Sequence, residues 1–417
     1  MEKLTFTIDG YSFSTAFNTA AKREQCAEKI LSTTGRHYSW YKENTGNKNW
    51  ILYDTEQYEV RNFDDIKYLV LNNRLMDVKT FLCVRRDFKG KLHLPINAST
   101  CSFMFVDSNV PEIDLTEFDT TNVVDMDYMF LEANLGDCLS LVSSTITQAN
   151  TPDRNILTLN TEGVISMSGM FKDCKVKHLD LRNLRTDNVT DFSDMFCSCN
   201  DLIDLNVDGF DTSKAKDFHG MFQGCIKLTQ LNVKHFNVDN VLHMSCLFSR
   251  CLRLKVINLE SWDFSQVSDA NEMFAYCEKL EKIIANFNFK MIKEMAFMFC
   301  YCTKLSKVDL SHSDLSHVFD FGYTFFKCEG LKDIRFSQGV WLKAKFTLSM
   351  FDDCKALERL NLTDVILDDV IRSYAMFDDC DSLKEIYMEH PLNLDKYERE
   401  LIFGNCKAEV KKSTEWQ

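Results

Sequence analysis

Seventeen cysteines in 417 residues are the first chemistry this chain offers. Ten of them stand three residues behind a phenylalanine: Phe171/Cys174, Phe196/Cys199, Phe222/Cys225, Phe248/Cys251, Phe274/Cys277, Phe299/Cys302, Phe325/Cys328, Phe351/Cys354, Phe377/Cys380 and Phe403/Cys406. Thiolates bind zinc or do redox chemistry when several converge on one point, as in Cys-x-x-Cys or mixed Cys/His groupings. Cys197-Ser-Cys199 and Cys300-Tyr-Cys302 are the tightest pairs. The series as a whole instead spreads one thiol per repeat along a line, which suits cysteine used as a small buried apolar side chain. The nine histidines form no His-Glu-x-x-His, and His312/His317 have no carboxylate or thiol at ligand spacing. Neither a phosphate-binding Gly-x-x-x-x-Gly-Lys-Ser/Thr loop nor a Gly-x-Ser-x-Gly elbow occurs. The expectation is a chain without a catalytic centre, metal or cofactor.

Carboxylates supply the second feature. Asp352-Asp353 and Asp378-Asp379 fill the two positions after the phenylalanine in successive repeats, with Asp381, Asp368 and Asp369 nearby. Stacking would bring these like charges within roughly 4.8 Å, one strand spacing. Such repulsion is relieved by a cation or a basic partner. This makes Asp352, Asp353, Asp378, Asp379 and Asp381 a candidate site for a basic protein.

Both features depend on the element that positions them. Successive phenylalanines from Phe171 to Phe403 are 25 or 26 residues apart. Earlier copies at Phe105 and Phe130 lack the cysteine, and the longer gap to Phe171 holds an insertion near residues 131–155. Three residues after most of the cysteines comes a leucine, such as Leu202, Leu254 or Leu357, and then an apolar-x-apolar pair such as Leu205/Val207 or Ile257/Leu259. That alternation reads as a short strand. Segments like Phe118-Asp-Thr-Thr-Asn-Val-Val-Asp-Met, rich in turn and cap formers, predict a tight corner and a short helical or irregular return arm. A unit this short cannot bury its own apolar face, so copies must stack like on like, each buried Leu or Phe contributing about 1.5–3 kcal/mol. Strand residues between the buried positions then face solvent and vary: Asn206, Asn232, Asn258, Ile284, Asp309, Arg335, Asn361 and Tyr387 in one column, Asp204, Gln230, Val256, Lys282, Lys307, Asp333, Arg359 and Glu385 in the next. A constant interior under a varied exterior is what a recognition face requires, which adds Asn206, Asn232, Asn258, Asp309, Arg335, Asn361 and Tyr387 to the candidate partner-binding residues.

Residues Leu184 to Leu202, Leu-Arg-Thr-Asp-Asn-Val-Thr-Asp-Phe-Ser-Asp-Met-Phe-Cys-Ser-Cys-Asn-Asp-Leu, follow the repeat most fully. The pattern resembles the Met-Phe-x-x-Cys-x-x-Leu variant of the BspA-like leucine-rich repeats over about three quarters of the chain, from near Phe103 onward. The resemblance implies a curved solenoid used for recognition, most often on bacterial surface proteins. The expected fold class is α/β, a leucine-rich-repeat solenoid of about twelve 25–26-residue coils spanning residues 99–417.

Residues 1–98 do not repeat. Leu4-Thr-Phe-Thr-Ile alternates like a strand, Ala16 to Leu31 reads as a helix, and Phe63 to Leu82 reads as another. Tyr38 to Tyr53 holds two aromatic runs joined by Glu43-Asn-Thr-Gly-Asn-Lys, a hairpin signal. A small α/β domain capping one end of the solenoid is expected here, with the polar tail after Cys406 closing the other end.

Composition bounds the function. With 45% hydrophobic and 26% charged residues, and only 4 Pro and 14 Gly, the chain is a folded protein without long flexible linkers. The formal net charge of −14 has the wrong sign for nucleic acid or anionic membrane, so a protein partner, basic in character, is expected. The first ten residues show no basic segment followed by an apolar one, so a cytoplasmic location with reduced thiols is expected. These readings point to a non-catalytic protein–protein interaction scaffold, most concretely a bacterial inhibitor, antitoxin or immunity-type protein that occludes a basic partner. The alternative is a cell-surface or host-directed adhesin or effector exported without a classical signal peptide.

Overall fold

The computed structural model describes residues 4–8, 11–15, 20–34, 38–42, 50–54, 58–59, 83–84, 88–92, 99–115, 118–142, 155–337, 342–363, 365–367, 373–389 and 394–415. The expected hairpin tip from Glu43 to Lys48, the expected helix from Phe63 to Leu82, the middle of the insertion, and Asp368 and Asp369 lie outside those residues. The chain forms two compact units, residues 1–176 with 183–188, and residues 177–182 with 189–417.

One coil of the larger unit shows how the repeat folds. In the strand Val256–Leu259, Ile257 and Leu259 point inward and are buried. The Asn258 side chain accepts the N–H of Glu260 at 3.0 Å, ending the strand in an Asx turn. Asp263 repeats the device by accepting the N–H of Ser265 at 2.9 Å, and Asp269 repeats it again with Asn271 at 3.0 Å. Each turn-forming Asn or Asp of the motif therefore ties down a corner.

From Ala270 to Cys277 the backbone adopts a regular alternation. Ala270, Glu272, Phe274 and Tyr276 donate their N–H groups to Glu294, Ala296, Met298 and Cys300 of the following coil, at 2.7–3.0 Å. The residues between them, Met273, Ala275 and Cys277, donate back to the third residue before them in their own coil. Every N–H in the run is satisfied, which a buried backbone demands. Glu272 and Tyr276, two residues either side of Phe274, sit at φ of 55° and 61°. Left-handed residues at these two positions recur from coil to coil, and they stop the return arm from becoming a helix. The expected α/β class is corrected accordingly: this is a β-solenoid, and among the described residues α-helix occurs only at Ala20–Thr34 and Lys396–Phe403.

Stacking is like on like. Within the larger unit Phe196, Phe222, Phe248, Phe274, Phe299, Phe325, Phe351 and Phe377 lie ring over ring, with centroids 5.4–5.8 Å apart and planes within 17°. Phe403 continues the series at 5.1 Å, now from the end of a helix whose start is fixed by the Asp395/Glu398 capping box. The tail forms the strand Glu409–Lys412, which extends the parallel pairing of Arg359–Asn361 with Glu385–Met388. Lys411 and Lys412 are suitable residues for an outermost strand.

The cysteine column has a bonding role that the sequence reading does not anticipate. The Cys277 thiol donates to the carbonyl of Phe248 in the preceding coil at 3.1 Å, and Cys225, Cys251, Cys302, Cys328, Cys354 and Cys380 make the same bond at 3.0–3.3 Å. The same phenylalanine carbonyl takes the N–H of its own coil's cysteine, as Phe248 does from Cys251 at 3.1 Å. Small size and an S–H donor are both used. Burial pushes the Cys277 thiol up to about 12 and Cys225 and Cys251 well above the ordinary range, so these groups stay protonated.

In the smaller unit Leu4–Ile8 pairs antiparallel with Tyr11–Thr15, and Tyr38–Lys42 with Trp50–Asp54, as the alternation and the hairpin signal predict. The helix runs Ala20–Thr34, a few residues later than expected. Val84 donates to Met104 at 2.7 Å, and Gly90–Lys91 pairs in parallel with Ile113–Asp114, so the segment ahead of the repeats is bonded to the first of them. Phe105, Phe130 and Phe171 stack at 5.2 and 5.5 Å. Buried Ser108 and Ala133 fill the place taken elsewhere by cysteine. Cys138–Val142, with Leu139 and Leu141 buried, is the repeat strand that follows Phe130, and the extra strand Asn155–Thr158 pairs with it in parallel.

Candidate protein-binding surface

On the strand side, much of the column expected to face a partner is used in folding. Asn206, Asn258, Asp309 and Asn361 are half-buried, and each accepts the N–H two residues on, at 3.0–3.1 Å. Their recurrence thus has a structural cause. Asn232 is exposed, with its amide 2.8 Å from the Asp208 carboxylate, and exposed Arg335 lies 3.6 Å from Asp333. Tyr387, expected at the surface, is only 3% exposed. Its strand lies between two parallel neighbours, and its hydroxyl donates to Glu385 at 2.7 Å while accepting from Arg359 at 3.1 Å. The Arg359 guanidinium lies over the Tyr387 ring at 5.3 Å and bonds Glu385 at 3.1 Å. The Lys411 ammonium, with help from the Tyr387 hydroxyl, holds the Glu385 carboxyl down to about 2.

The same side opens into a cleft of about 450 Å³ between Lys282–Ala285 and Lys307–Leu310. Lys282–Ala285 pairs with Val256–Leu259, and Lys307–Leu310 pairs with Asp333–Phe336, but these form separate sheets. The cause is local. Leu259 and Trp262 are three positions apart, whereas the matching Ala285 and Phe287 are two apart, and Ile284 stands where Asn258 and Asp309 form Asx turns. Ile283 and Ala285 are consequently half-exposed, while Ile257 and Leu259 are buried.

The turn side brings the predicted aspartates together. Asp353 donates its N–H to the Asp378 carbonyl at 2.9 Å, so the two acidic pairs sit on adjacent coils. Much of their repulsion is relieved internally. Asp353 is bound by Lys355 at 2.9 Å and Lys327 at 3.6 Å. Asp378 accepts the N–H of Asn405 at 2.9 Å and lies over Gly404, whose left-handed φ of 51° and crowded surroundings leave no room for a Cβ. Exposed Asp379 takes the Asn405 amide at 3.2 Å, and Asp381 is exposed. Half-buried Asp352 is left facing the others. Its partial burial pushes the carboxyl up to about 6, and the Asp378, Asp353 and Asp379 charges add to this against the Ser349 hydroxyl.

Beside the aspartates runs an aromatic surface missed in the sequence reading. In the column two residues after the core phenylalanine, Tyr276 and Tyr301 stack at 4.9 Å, with Arg250 over Tyr276 at 4.7 Å and Lys327 over Tyr301 at 5.4 Å. Two residues before it, Phe297 and Tyr323 stack at 4.7 Å, and Phe326 meets Tyr301 and Tyr323 edge-on at 5.4 and 5.5 Å. All five rings are half-buried. The signal in the sequence is a constant spacing: Phe297 and Tyr323 stand two residues before a core phenylalanine, and Tyr276 and Tyr301 two after.

Among the described residues no group of three or more His, Cys, Asp or Glu could hold a metal ion. No described helix is long and apolar enough to cross a membrane. His219 Nδ1 lies 2.7 Å from the hydroxyl of buried Ser245, while the adjacent Asp217 carboxylate takes the backbone N–H of His219.

A family model described as "Mycoplasma protein of unknown function, DUF285" matches residues 96–137, 140–230, 165–286, 199–311, 242–360 and 281–390, together well over half the chain. These overlapping matches advance along the repeats, in keeping with the resemblance to BspA-like leucine-rich repeats. No match was found among curated proteins. Among solved structures, the chain is similar to a leucine-rich cell surface protein from Faecalibacterium prausnitzii A2-165, with 17% identity, 67% of this chain and 88% of that one covered, and a TM-score of 0.28. A leucine-rich-repeat protein from Eubacterium ventriosum ATCC 27560 gives 13%, 71%, 72% and 0.31.

Proposed function

We propose that this chain, which belongs to the repeat family described as Mycoplasma protein of unknown function, DUF285, is a non-catalytic protein-binding scaffold whose turn side engages a basic protein. The observation that carries this reading is the joined surface of half-exposed rings and carboxylates at Tyr276, Phe297, Tyr301, Tyr323, Asp352 and Asp378, held on a rigid bonded backbone. Aromatic groups enrich interface centres, and carboxylates beside them select a partner by sign. In its most concrete form the protein is a cytoplasmic inhibitor, antitoxin or immunity-type protein that covers a basic surface.

Affinity purification from the native organism tests this, using the full chain and a variant with Asp352, Asp353, Asp378 and Asp379 all changed to Asn. The expected result is a basic protein that co-elutes with the wild type, is released by salt, and is weakened by the variant. Co-elution unaltered by the variant would remove the aspartates, and recovery of the protein from intact cell surfaces would replace this reading with the adhesin alternative.

A further inference from the structure

We infer that the cleft between Lys282–Ala285 and Lys307–Leu310 receives an extended segment of a protein partner, added as a strand between the two, with apolar residues turned inward and an acidic residue at the lysine rim. On either side of the cleft the strands of consecutive coils pair directly, Val256–Leu259 with Lys282–Ala285 and Lys307–Leu310 with Asp333–Phe336. Across it they do not pair, and nearly all Cα atoms of one strand lie more than 8 Å from those of the other, whereas most lie within that distance in the two flanking pairs. Paired strands stand about 4.8 Å apart, so two spacings, about 9.6 Å, seat one further strand. Each strand is paired on one side only, so every second residue turns its N–H and C=O toward the gap. An added strand completes that arrangement, as in other cases of peptide recognition by strand addition.

The walls select the side chains. Ile283, Ala285, Phe287 and Val308 make the interior apolar, and Ile283 and Ala285 are half-exposed because no neighbouring coil covers them. At the rim, exposed Lys282 and Lys307 stand on the facing strands. The Asp309 carboxylate is taken by the N–H and hydroxyl of Ser311 at 3.1 and 2.6 Å, and Lys307 is shared with Asp333 at 3.1 Å. Exposed Glu281 also lines the cleft, beside Lys255, whose carbonyl takes the Glu281 N–H at 2.8 Å. Lysines on both strands therefore favour a carboxylate on the incoming segment, the opposite of what the aspartates of the turn side select.

The probe is a fluorescein-labelled, end-blocked peptide, Val-Glu-Val-Thr-Val-Glu, titrated by anisotropy against the full chain. One control is the same peptide N-methylated at every second residue, which keeps the side chains and removes the donors along one edge; the other carries lysine in place of glutamate. The parent peptide is expected to bind about tenfold more tightly than either control, and to slow amide hydrogen exchange at Lys282–Ala285 and Lys307–Leu310. Lys282→Glu reverses the rim charge and Ala285→Phe fills the interior, and each should weaken the peptide by about five- to tenfold. Lys216→Glu, exposed two coils earlier, should leave affinity unchanged, and all three variants should melt as cooperatively as the wild type. Equal binding of the methylated peptide, or unchanged exchange at both strands, would overturn the inference. So would a concentration-dependent dimer that Ala285→Phe converts to a monomer, because a second copy would then fill the gap. These outcomes are independent of the aspartates on the turn side, so the basic-partner reading stands or falls separately.

Discussion

At the scale of single residues, the thiols and the carboxylates behave in opposite ways. A ladder cysteine is a buried donor, so Cys277→Ala should cost about 1–2 kcal/mol through the lost bond to the Phe248 carbonyl, which keeps only the Cys251 N–H, and the lost volume, as measured by denaturant unfolding. Iodoacetamide at mildly alkaline pH should label Cys225, Cys251 and Cys277 only after unfolding; rapid labelling of the native chain would contradict their bonded, protonated state. Asp352 carries a pH signature. Its carboxyl is raised from 3.8 to about 6, so the folded state holds its proton more tightly than the unfolded chain. The stability it contributes is full below pH 3.8 and is lost as pH rises through about 6. Asp352→Asn should therefore leave stability unchanged near pH 3.5 and raise it above pH 6.5, and an equal effect at both would contradict the assignment. Glu385 runs the other way, being held down to about 2, so its contribution is present above its ordinary pKa of 4.5 and is lost on strong acidification.

At the scale of the element, the coil is a chain of Asx turns around a core strip, and the two parts fail differently. Asn361→Ala should cost about 0.5–1.5 kcal/mol by releasing the Thr363 N–H, while Asn232→Ala, at an exposed position, should stay within about 0.5 kcal/mol. Leu254→Asp places a charge at a fully buried position and should cost on the order of 4 kcal/mol, so an unchanged melting curve would mean that the register is wrong. The register, the strand pairs and the thiol ladder were readable from spacing alone, because each depends on a side chain whose type is restricted by burial. For the return arm the spacing leaves helical and irregular forms both open, and the structure has the irregular one. Met273 and Ala275 flank Phe274 in a run that suits a helix by composition, and only the left-handed Glu272 and Tyr276 prevent one. An Asx-turn residue and a solvated one look alike in sequence, so Asn258 and Asp309 carry the sequence signal of recognition residues while they close corners of the coil. Alternation along the strand gives Tyr387 an outward position, but Arg359 lies over its ring and the strand Glu409–Lys412 pairs beside it, and neither is marked by the repeat. The carboxylates are legible, but Lys327 and Asn405 stand in the same column as Asp353 and Asp379 with a different residue type, and Lys355 lies two residues further along its coil, so a search for like residues passes over the groups that neutralise or bond three of them.

At the scale of the molecule, stability is distributed because each coil of the larger unit is bonded to its neighbours by the same backbone pattern, as expected of a solenoid. Its surface can therefore vary from coil to coil without disturbing the core, and this permits an aromatic–acidic face on one stretch and a cleft on another. The central claim is that one repeat equals one turn of the solenoid. Excision tests it most directly. Removing the 26 residues from Phe222 to Leu247 joins Met221 to Phe248 and keeps every column aligned, whereas removing only Phe222 to Lys234 shifts all that follow by half a turn. The whole-coil deletion should retain a cooperative melt and the native near-ultraviolet spectrum, and the half-coil deletion should lose both. If the whole-coil deletion unfolds as the half-coil one does, the repeats do not stack turn on turn.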